Sequence, residues 1–200
     1  MPSVDAKPIT RRTALGAVMA SLGLSLAGCG AAPVETFDLS ALDAMRVARA
    51  LRGQLLIAEP VASAPLDGDR VLVRPAPESI ATLRGAQWRE RLPRLVQTRL
   101  VQSFENAGFL KAVARSDSRL ASDYSLATEL RRFEVDVVSG EAVVEIAGKL
   151  VHEGSGRIKA AEIFAARVAA TADASSAVPA LDAALRDVMA QMVGWVSKRM

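Results

Sequence analysis

The chain has 200 residues, half of them hydrophobic but only 4% aromatic, and a formal net charge of +3 at neutral pH. That length fits one domain with a sizeable core, and a core so poor in rings must be built from Ala, Val and Leu, which disfavours a ring-lined sugar or nucleotide site. The charge pattern sets nucleic acid aside as a partner: Lys7, Arg11 and Arg12 against Asp5 carry most of the surplus, and the remaining basic residues are interleaved with acidic ones rather than gathered on a dense basic face.

Residues 1–28 have the three parts of an export signal: a basic region at Lys7, Arg11 and Arg12, an apolar stretch over 13–26, and then small residues. The stretch is too short for an ordinary spanning helix, which needs about 20 apolar residues. It ends in Leu26-Ala27-Gly28-Cys29, which resembles a lipobox, the signal-peptidase recognition sequence of bacterial lipoproteins. By that resemblance the mature chain begins at Cys29, with a diacylglyceryl group on its sulfur and an acyl group on its nitrogen, and needs no other cofactor. Two or more acyl chains give stable membrane anchoring where one does not. Cys29 is the only cysteine, so its acylation leaves no thiol for a disulfide. Gly30 stands where an Asp retains lipoproteins of enteric bacteria in the inner membrane, which favours the outer membrane. The run Thr10-Arg11-Arg12-Thr13-Ala14-Leu15 partly resembles a twin-arginine signal, so the general secretory and twin-arginine routes both stay open.

Residues 29–36 read as the lipidated N-terminus and a short tether, and 37–200 as a single domain. A first short strand is expected over 36–40. Residues 42–52 have helical spacing stopped by Gly53, or form a connecting arm. Strands follow at 54–58 and 70–74, separated by a turn-rich segment with Pro60, Pro65 and Asp67-Gly68, and an edge strand at 79–83 in a Pro-punctuated stretch. Over 91–107, Leu92, Leu95, Val96, Leu100 and Phe104 recur three to four apart, which predicts an amphipathic helix stopped at Gly108, with a strand over 109–115.

The clearest sheet signal lies in 122–151. Tyr124, Leu126, Thr128 and Leu130 share one face, then Phe133, Val135 and Val137 continue on odd numbers, so the phase slips at Arg131-Arg132 and predicts a bulge. Ser139-Gly140 fits a hairpin turn, Val144, Ile146 and Leu150 the return strand, and Gly154-Ser155-Gly156 a turn into a third strand over 157–169. A second amphipathic helix is expected over 177–199, capped by Ser176 and with Pro179 in its first turn. The fold class expected is α+β: an antiparallel β-sheet with both helices packed on one face, a two-layer sandwich.

Four segments taken in order, 69–75 (Asp-Arg-Val-Leu-Val-Arg-Pro), 87–97 from Gln87-Trp88 to Gln97, 100–106 (Leu-Val-Gln-Ser-Phe-Glu-Asn), and Asp123-Tyr124 with 130–136 (Leu-Arg-Arg-Phe-Glu-Val-Asp), together with the ending from Ala180 to Val196, resemble the ABC-type transport auxiliary lipoproteins, whose members include the PqiC-like lipoproteins. The resemblance implies a non-enzymatic envelope role: an outer-membrane lipoprotein facing the periplasm that partners an ABC permease and ATPase and their MCE-domain protein in moving phospholipid between membranes, with room for a homo-oligomer. It carries no catalytic residues over. The alternative is an envelope lipoprotein that itself holds an apolar ligand between sheet and helices.

The residues themselves offer little chemistry. His152 is the only histidine, and a metal site needs three or four convergent ligands, so no metal is expected. A Ser-His-Asp arrangement would have to use that histidine, and the Gly-x-Ser-x-Gly elbow is absent. Asp67-Gly68-Asp69 lacks the other ligands of a calcium loop, and without a phosphate-cradling glycine loop ATP hydrolysis belongs to a partner. Trp88 and Trp195 read either as anchors of a partner interface, where Trp is enriched, or as core-edge residues.

Overall fold

The computed structural model describes residues 33–45, 50–118 and 120–200; the expected signal, Leu26, Ala27, Gly28 and Cys29 lie outside the described residues. The described residues fall in one compact unit, Pro33–Met200. Its elements are β1 (Glu35–Phe37), β2 (Gln54–Ile57), β3 (Val61–Ala62), β4 (Arg70–Ala76), β5 (Ser79–Trp88), α1 (Leu92–Ala107), β6 (Ala112–Arg115), β7 (Tyr124–Asp136), β8 (Glu141–His152), β9 (Arg157–Ala169) and α2 (Ala174–Arg199).

All the strands join one sheet built around β7, an apolar-alternating strand of 13 residues. Along one edge of β7 lie β2, β3 and β4 in succession, opposite Tyr124–Leu126, Glu129–Leu130 and Glu134–Asp136. Its other edge pairs with β8 over the whole length, and β8 pairs in turn with β9. Beyond β2 lies β6, and beyond β4 lie β5 and then β1.

The β7–β8–β9 meander is antiparallel, as is the β4–β5 pair, but β2, β3 and β4 run parallel to β7, β6 to β2, and β1 to β5. The α+β class stands; the wholly antiparallel sheet does not. Alternation reports which face a residue takes, not the direction of the neighbouring strand; the parallel partners β2 and β6, and β4 and β7, are joined by long connections that both pass through α1.

The register of β7 against β8 shifts between Leu130 and Arg132, where the phase of the sequence slips. A second irregularity falls between Leu150 and Val151 against β9. The segment expected as an edge strand is longer, Ser79–Trp88, and is flanked by both β4 and β1; Gly85, at φ 72, marks the irregular stretch that fits it between them. β1 begins at Glu35, one residue before the expected end of the tether.

Of the segment read as a helix or an arm, residues 46–49 lie outside the description, and 41–45 and 50–53 are irregular chain. This arm is pinned to α1: Leu42 N–H donates to Ser103 Oγ at 3.0 Å and Asn106 donates to the Leu42 carbonyl at 2.7 Å.

Helix α1 ends at Gly108 in the left-handed conformation, φ 63, as its sequence predicts. Helix α2 starts three residues earlier than expected, and its cap is Asp173, whose Oδ1 accepts from Ser176 N–H at 3.0 Å. Ser176 Oγ instead accepts from Thr171 N–H, and Pro179 falls in the second turn. The charged side chain wins because it meets both the free N–H and the positive helix end.

Helix α2 packs over β8 and β9, α1 over β2 and β6, and the two helices meet where Ser103 Oγ lies 3.3 Å from Met189 Sδ. Between α2 and the meander the interior is filled by Leu126, Ile146, Leu150, Phe164, Leu185 and Met192. Gly148 sits under this contact: a Cβ there would lie 3.1 Å from Phe164 Cε2 and 3.7 Å from Met192 Cε. Gly148→Leu is therefore expected to lower the unfolding free energy by about 2–3 kcal/mol through overpacking, read as an earlier midpoint in denaturant titration with the slope unchanged.

Candidate functional site: the outer face and free edge of the meander

The strands β7, β8 and β9 turn alternate residues away from α2. In register across that outer face stand Val61, Glu129, Ala147 and Ile163. Small side chains at Ala127, Ala147 and Ala161 make it shallowly hollow: one depression of about 280 Å³ is lined by Val61, Ala127, Glu129, Ala147 and Lys149, and a neighbouring one of about 630 Å³ by Arg131, Ala147, Lys149, Ala161 and Ile163. Charges rim the apolar floor, with Arg131 reaching Glu129 at 3.7 Å and Glu145 at 3.9 Å.

The outer edge of β9 has no partner strand among the described residues. It runs for 13 residues and carries exposed Ile158 and Ile163, the latter 55% exposed. A strand edge of this length presents a row of unsatisfied N–H and C=O groups, which proteins ordinarily shorten, cover or charge. Charged side chains interrupt it at Arg157 and Lys159, the latter held at 3.1 Å from Tyr124 Oη, at Glu162, 3.9 Å from Arg199, and at Arg167, paired with Glu141 at 3.1 Å.

Toward the end of the sheet where β7 turns into β8, the outer face becomes a charged strip. The buried Glu134 carboxylate receives Arg74 Nε at 2.7 Å and Nη2 at 3.1 Å, and Arg132 Nε at 2.8 Å. Arg132 Nη2 also donates to Asp136 at 3.0 Å. The bond to Glu134 raises the Arg74 pKa; burial works against the Arg132 charge, but its bonds to Glu134 and Asp136 outweigh that and raise its pKa as well. Backbone N–H donation from Ser139, together with Arg132, holds the Asp136 carboxyl below its ordinary range. The strip is thus an internally neutralised clamp joining β4 to β7.

The residues singled out in the sequence fall elsewhere. Trp88 is 1% exposed and meets Phe133 edge to face at 5.7 Å; Trp195 is 8% exposed and meets Phe164 edge to face at 5.4 Å. Both are core residues, so the interface reading gives way to the core one. Alternation alone does not separate a surface Trp from a buried one, and the buried indole nitrogens have no hydrogen-bond partner in the fold.

His152 lies at the opposite end of the sheet, 3.1 Å from Ser155 Oγ, edge to face with Tyr124 and beside a hollow of about 340 Å³ shared with Gly53, Asp123 and Met200. Asp123 there is engaged with the Gln54 N–H at 2.8 Å. Asp67 is likewise occupied, paired with Arg91. Among the described residues no group of three or more His, Cys, Asp and Glu is placed to hold a metal, and no helix is long and apolar enough to cross a membrane. The outer face and the β9 edge were not singled out from the sequence; the only signal was the Ile158 and Ile163 pair in a strand whose neighbours did not require them.

This is an α+β domain whose distinctive surface among the described residues is an open strand edge beside a shallow sheet face. The chain belongs to the ABC-type transport auxiliary lipoprotein component family, whose model matches residues 37–193. It is 30% identical over 178 residues to an uncharacterized protein of Bradyrhizobium diazoefficiens, a match that covers 86% of this chain and 48% of that one, so the chain spans about half the length of that relative. Among solved structures it is similar to protein XCC0632 from Xanthomonas campestris, of family DUF330, at 29% identity and a TM-score of 0.77, over 83% of this chain and 96% of that one. A second crystal structure shares the fold at 14% identity and a TM-score of 0.63, over 84% and 98% of the two chains.

Glu134→Ala removes the carboxylate shared by two partly buried guanidinium groups, leaving Arg74 only the Pro77 carbonyl and Arg132 only Asp136, so it is expected to cost about 3 kcal/mol of stability. Asp43→Ala, which breaks the exposed pair with Arg186 at 3.0 Å, is expected to cost at most about 1 kcal/mol; equal losses in chemical denaturation would refute the clamp. Because the Asp136 pKa is depressed in the fold, its contribution is present at neutral pH and is lost as the pH falls below about 4.

Proposed function

We propose that this chain is a non-enzymatic accessory of an MCE/ABC-type intermembrane phospholipid transport system, anchored through acylated Cys29 in the outer membrane and facing the periplasm. The observation that carries the reading is the family match over 37–193 directly following the Leu26-Ala27-Gly28-Cys29 sequence. The ABC partner supplies ATP hydrolysis, and the accessory supplies a fixed surface at the membrane. The surface we assign to the partner is the β9 edge with its adjoining hollow. An extended segment of the periplasmic MCE-domain protein adds to β9 by main-chain hydrogen bonds, with alternate side chains seated over Ala161 and Ile163.

The carrier alternative lacks comparable support, because the space between α2 and the meander is filled by side chains from both layers.

The test is affinity capture of the lipidated chain from native envelope membranes with crosslinking and mass spectrometry. Wild type is expected to recover an MCE-domain protein or the ABC permease, and Cys29→Ala to lose membrane association and most of that recovery. The double change Ile158→Lys with Ile163→Lys, at two exposed positions, is expected to leave membrane association intact and reduce partner recovery about tenfold, equivalent to about 1.4 kcal/mol. Crosslinks from β9 to a second copy alone would assign the edge to a homo-oligomer. Recovery of lipid without any transport protein would favour the carrier.

A further inference from the structure

The end of the sheet that carries the clamp also carries apolar side chains that its turns do not need. The β7–β8 turn is Val137-Val138-Ser139-Gly140. Its geometry is met by other groups: Asp136 Oδ1 accepts from the N–H groups of Val138 at 3.1 Å and Ser139 at 3.2 Å, and Gly140, at φ 68, donates its N–H to the Asp136 carbonyl. Turn positions ordinarily take Gly, Asn, Asp, Ser or Pro for such reasons. Two consecutive valines have no such local role, and Val138 is 71% exposed.

Beside this turn lies the β4–β5 turn, with exposed Pro77 and Ile80. The two turns form one rigid tip. Val137 N–H donates to the Arg74 carbonyl at 3.0 Å, Arg74 Nη1 donates to the Pro77 carbonyl at 2.7 Å, and Arg74 itself is clamped by Glu134.

The described start of the chain, Pro33 and Val34, points toward the same end. β1 is parallel to β5, so residues before Glu35 head back toward Ser79 and the β4–β5 turn, and the Pro33 carbonyl lies beside Gly85. Fully extended, the four residues from Cys29 to Pro33 span about 14 Å. Through the pairs Thr36–Gln87, Arg70–Gln87 and Leu72–Glu134, β1 stands level with Arg132 in β7. The opposite end, at Tyr124 and the Gly154-Ser155-Gly156 turn, is roughly 25 Å away along the strand. A lipid on Cys29 thus holds the clamp end of the sheet, and not the His152 end, close to the bilayer.

We propose that this tip, Pro77 and Ile80 with Val137 and Val138, inserts into the lipid surface that carries the anchor and sets the domain upright on it. The inference rests on the lipoprotein reading of Cys29. Charge does not drive the insertion: Arg74 and Arg132 are neutralised by Glu134 and Asp136, Arg167 is paired with Glu141, and the two other exposed charges nearby, Glu78 in the β4–β5 turn and Arg84 in β5, are of opposite sign. The surface contacted is therefore apolar acyl chain just below the headgroups, with no requirement for anionic lipid.

The test uses the full, lipidated chain in phosphatidylcholine vesicles, with Val138→Cys or, at the far turn, Ser155→Cys as the only free thiol, labelled with an environment-sensitive fluorophore. At 138 the emission is expected to shift to the blue and to be mostly lost when the acyl chains are brominated; at 155 it stays aqueous and unquenched. A probe at 138 that stays aqueous on protein that floats with the vesicles overturns the tip insertion and leaves the anchor standing. A blue shift at 138 that bromination does not quench means that a second copy or another protein covers the tip, and also overturns it. Protein that fails to float and has a free Cys29 thiol overturns both readings.

Discussion

The fold hangs on β7 being long enough, and correctly interrupted, to serve as a common partner for four other strands. Its 13 residues give one edge to β2, β3 and β4 in turn and the other to β8. Before the bulge, Leu126 and Leu130 point into the core; after it, Phe133 and Val135 do. Were Arg131 paired as an ordinary ladder residue and not set out of register as a bulge, the second half would turn Arg132, Glu134 and Asp136 inward and Phe133 outward, because a one-residue slip exchanges the two faces. The bulge therefore decides two things together: that Trp88 finds Phe133 in the core, and that the charged trio lands on the outer face within reach of Arg74.

That placement explains why a buried carboxylate is tolerable. Glu134 loses hydration but gains three charge-assisted hydrogen bonds from two guanidinium groups, one of them bidentate. Arg74 comes from β4, so the pair fastens a strand joined to β7 by only a short run of parallel register. Short parallel pairings are weak alone, and this one is reinforced where the two turns at the end of the sheet meet.

Much of this was legible in the sequence, and the parts that were not share a cause. The phase slip at Arg131-Arg132, the α1 stop at Gly108 and the meander turns are local signals, and each is written in residues within a few positions of the feature. Strand direction is not local: nothing in Gln54–Ile57 or Arg70–Ala76 states that these strands will lie parallel to a strand some 60 residues later. β3, only two residues long, is held by Glu129 and Leu130 rather than by its own propensity. The competition between Asp173 and Ser176 for the α2 cap was settled by which side chain faced the free N–H groups. The candidate surface was hidden for the same reason, since the vacancy beside β9 is a property of topology, and Ile163 looks in sequence like any other strand residue.

The free edge and the apolar tip are set at right angles by the sheet itself. The tip lies at the ends of the strands and the edge along the side of one, so a domain seated by its tip holds β9 along the membrane normal, with roughly 40 Å of strand rising from the lipid surface. In free solution such an edge is an aggregation hazard. Held at a membrane with fixed orientation, it can be met only by segments that also run along the normal, which removes most of the unwanted encounters without shortening or covering the strand. For a domain seated in that way the clamp would serve both features: by locking β4 to β7 beneath the two turns, it would keep the tip rigid enough to fix the tilt of the domain, and hence the direction in which β9 is offered.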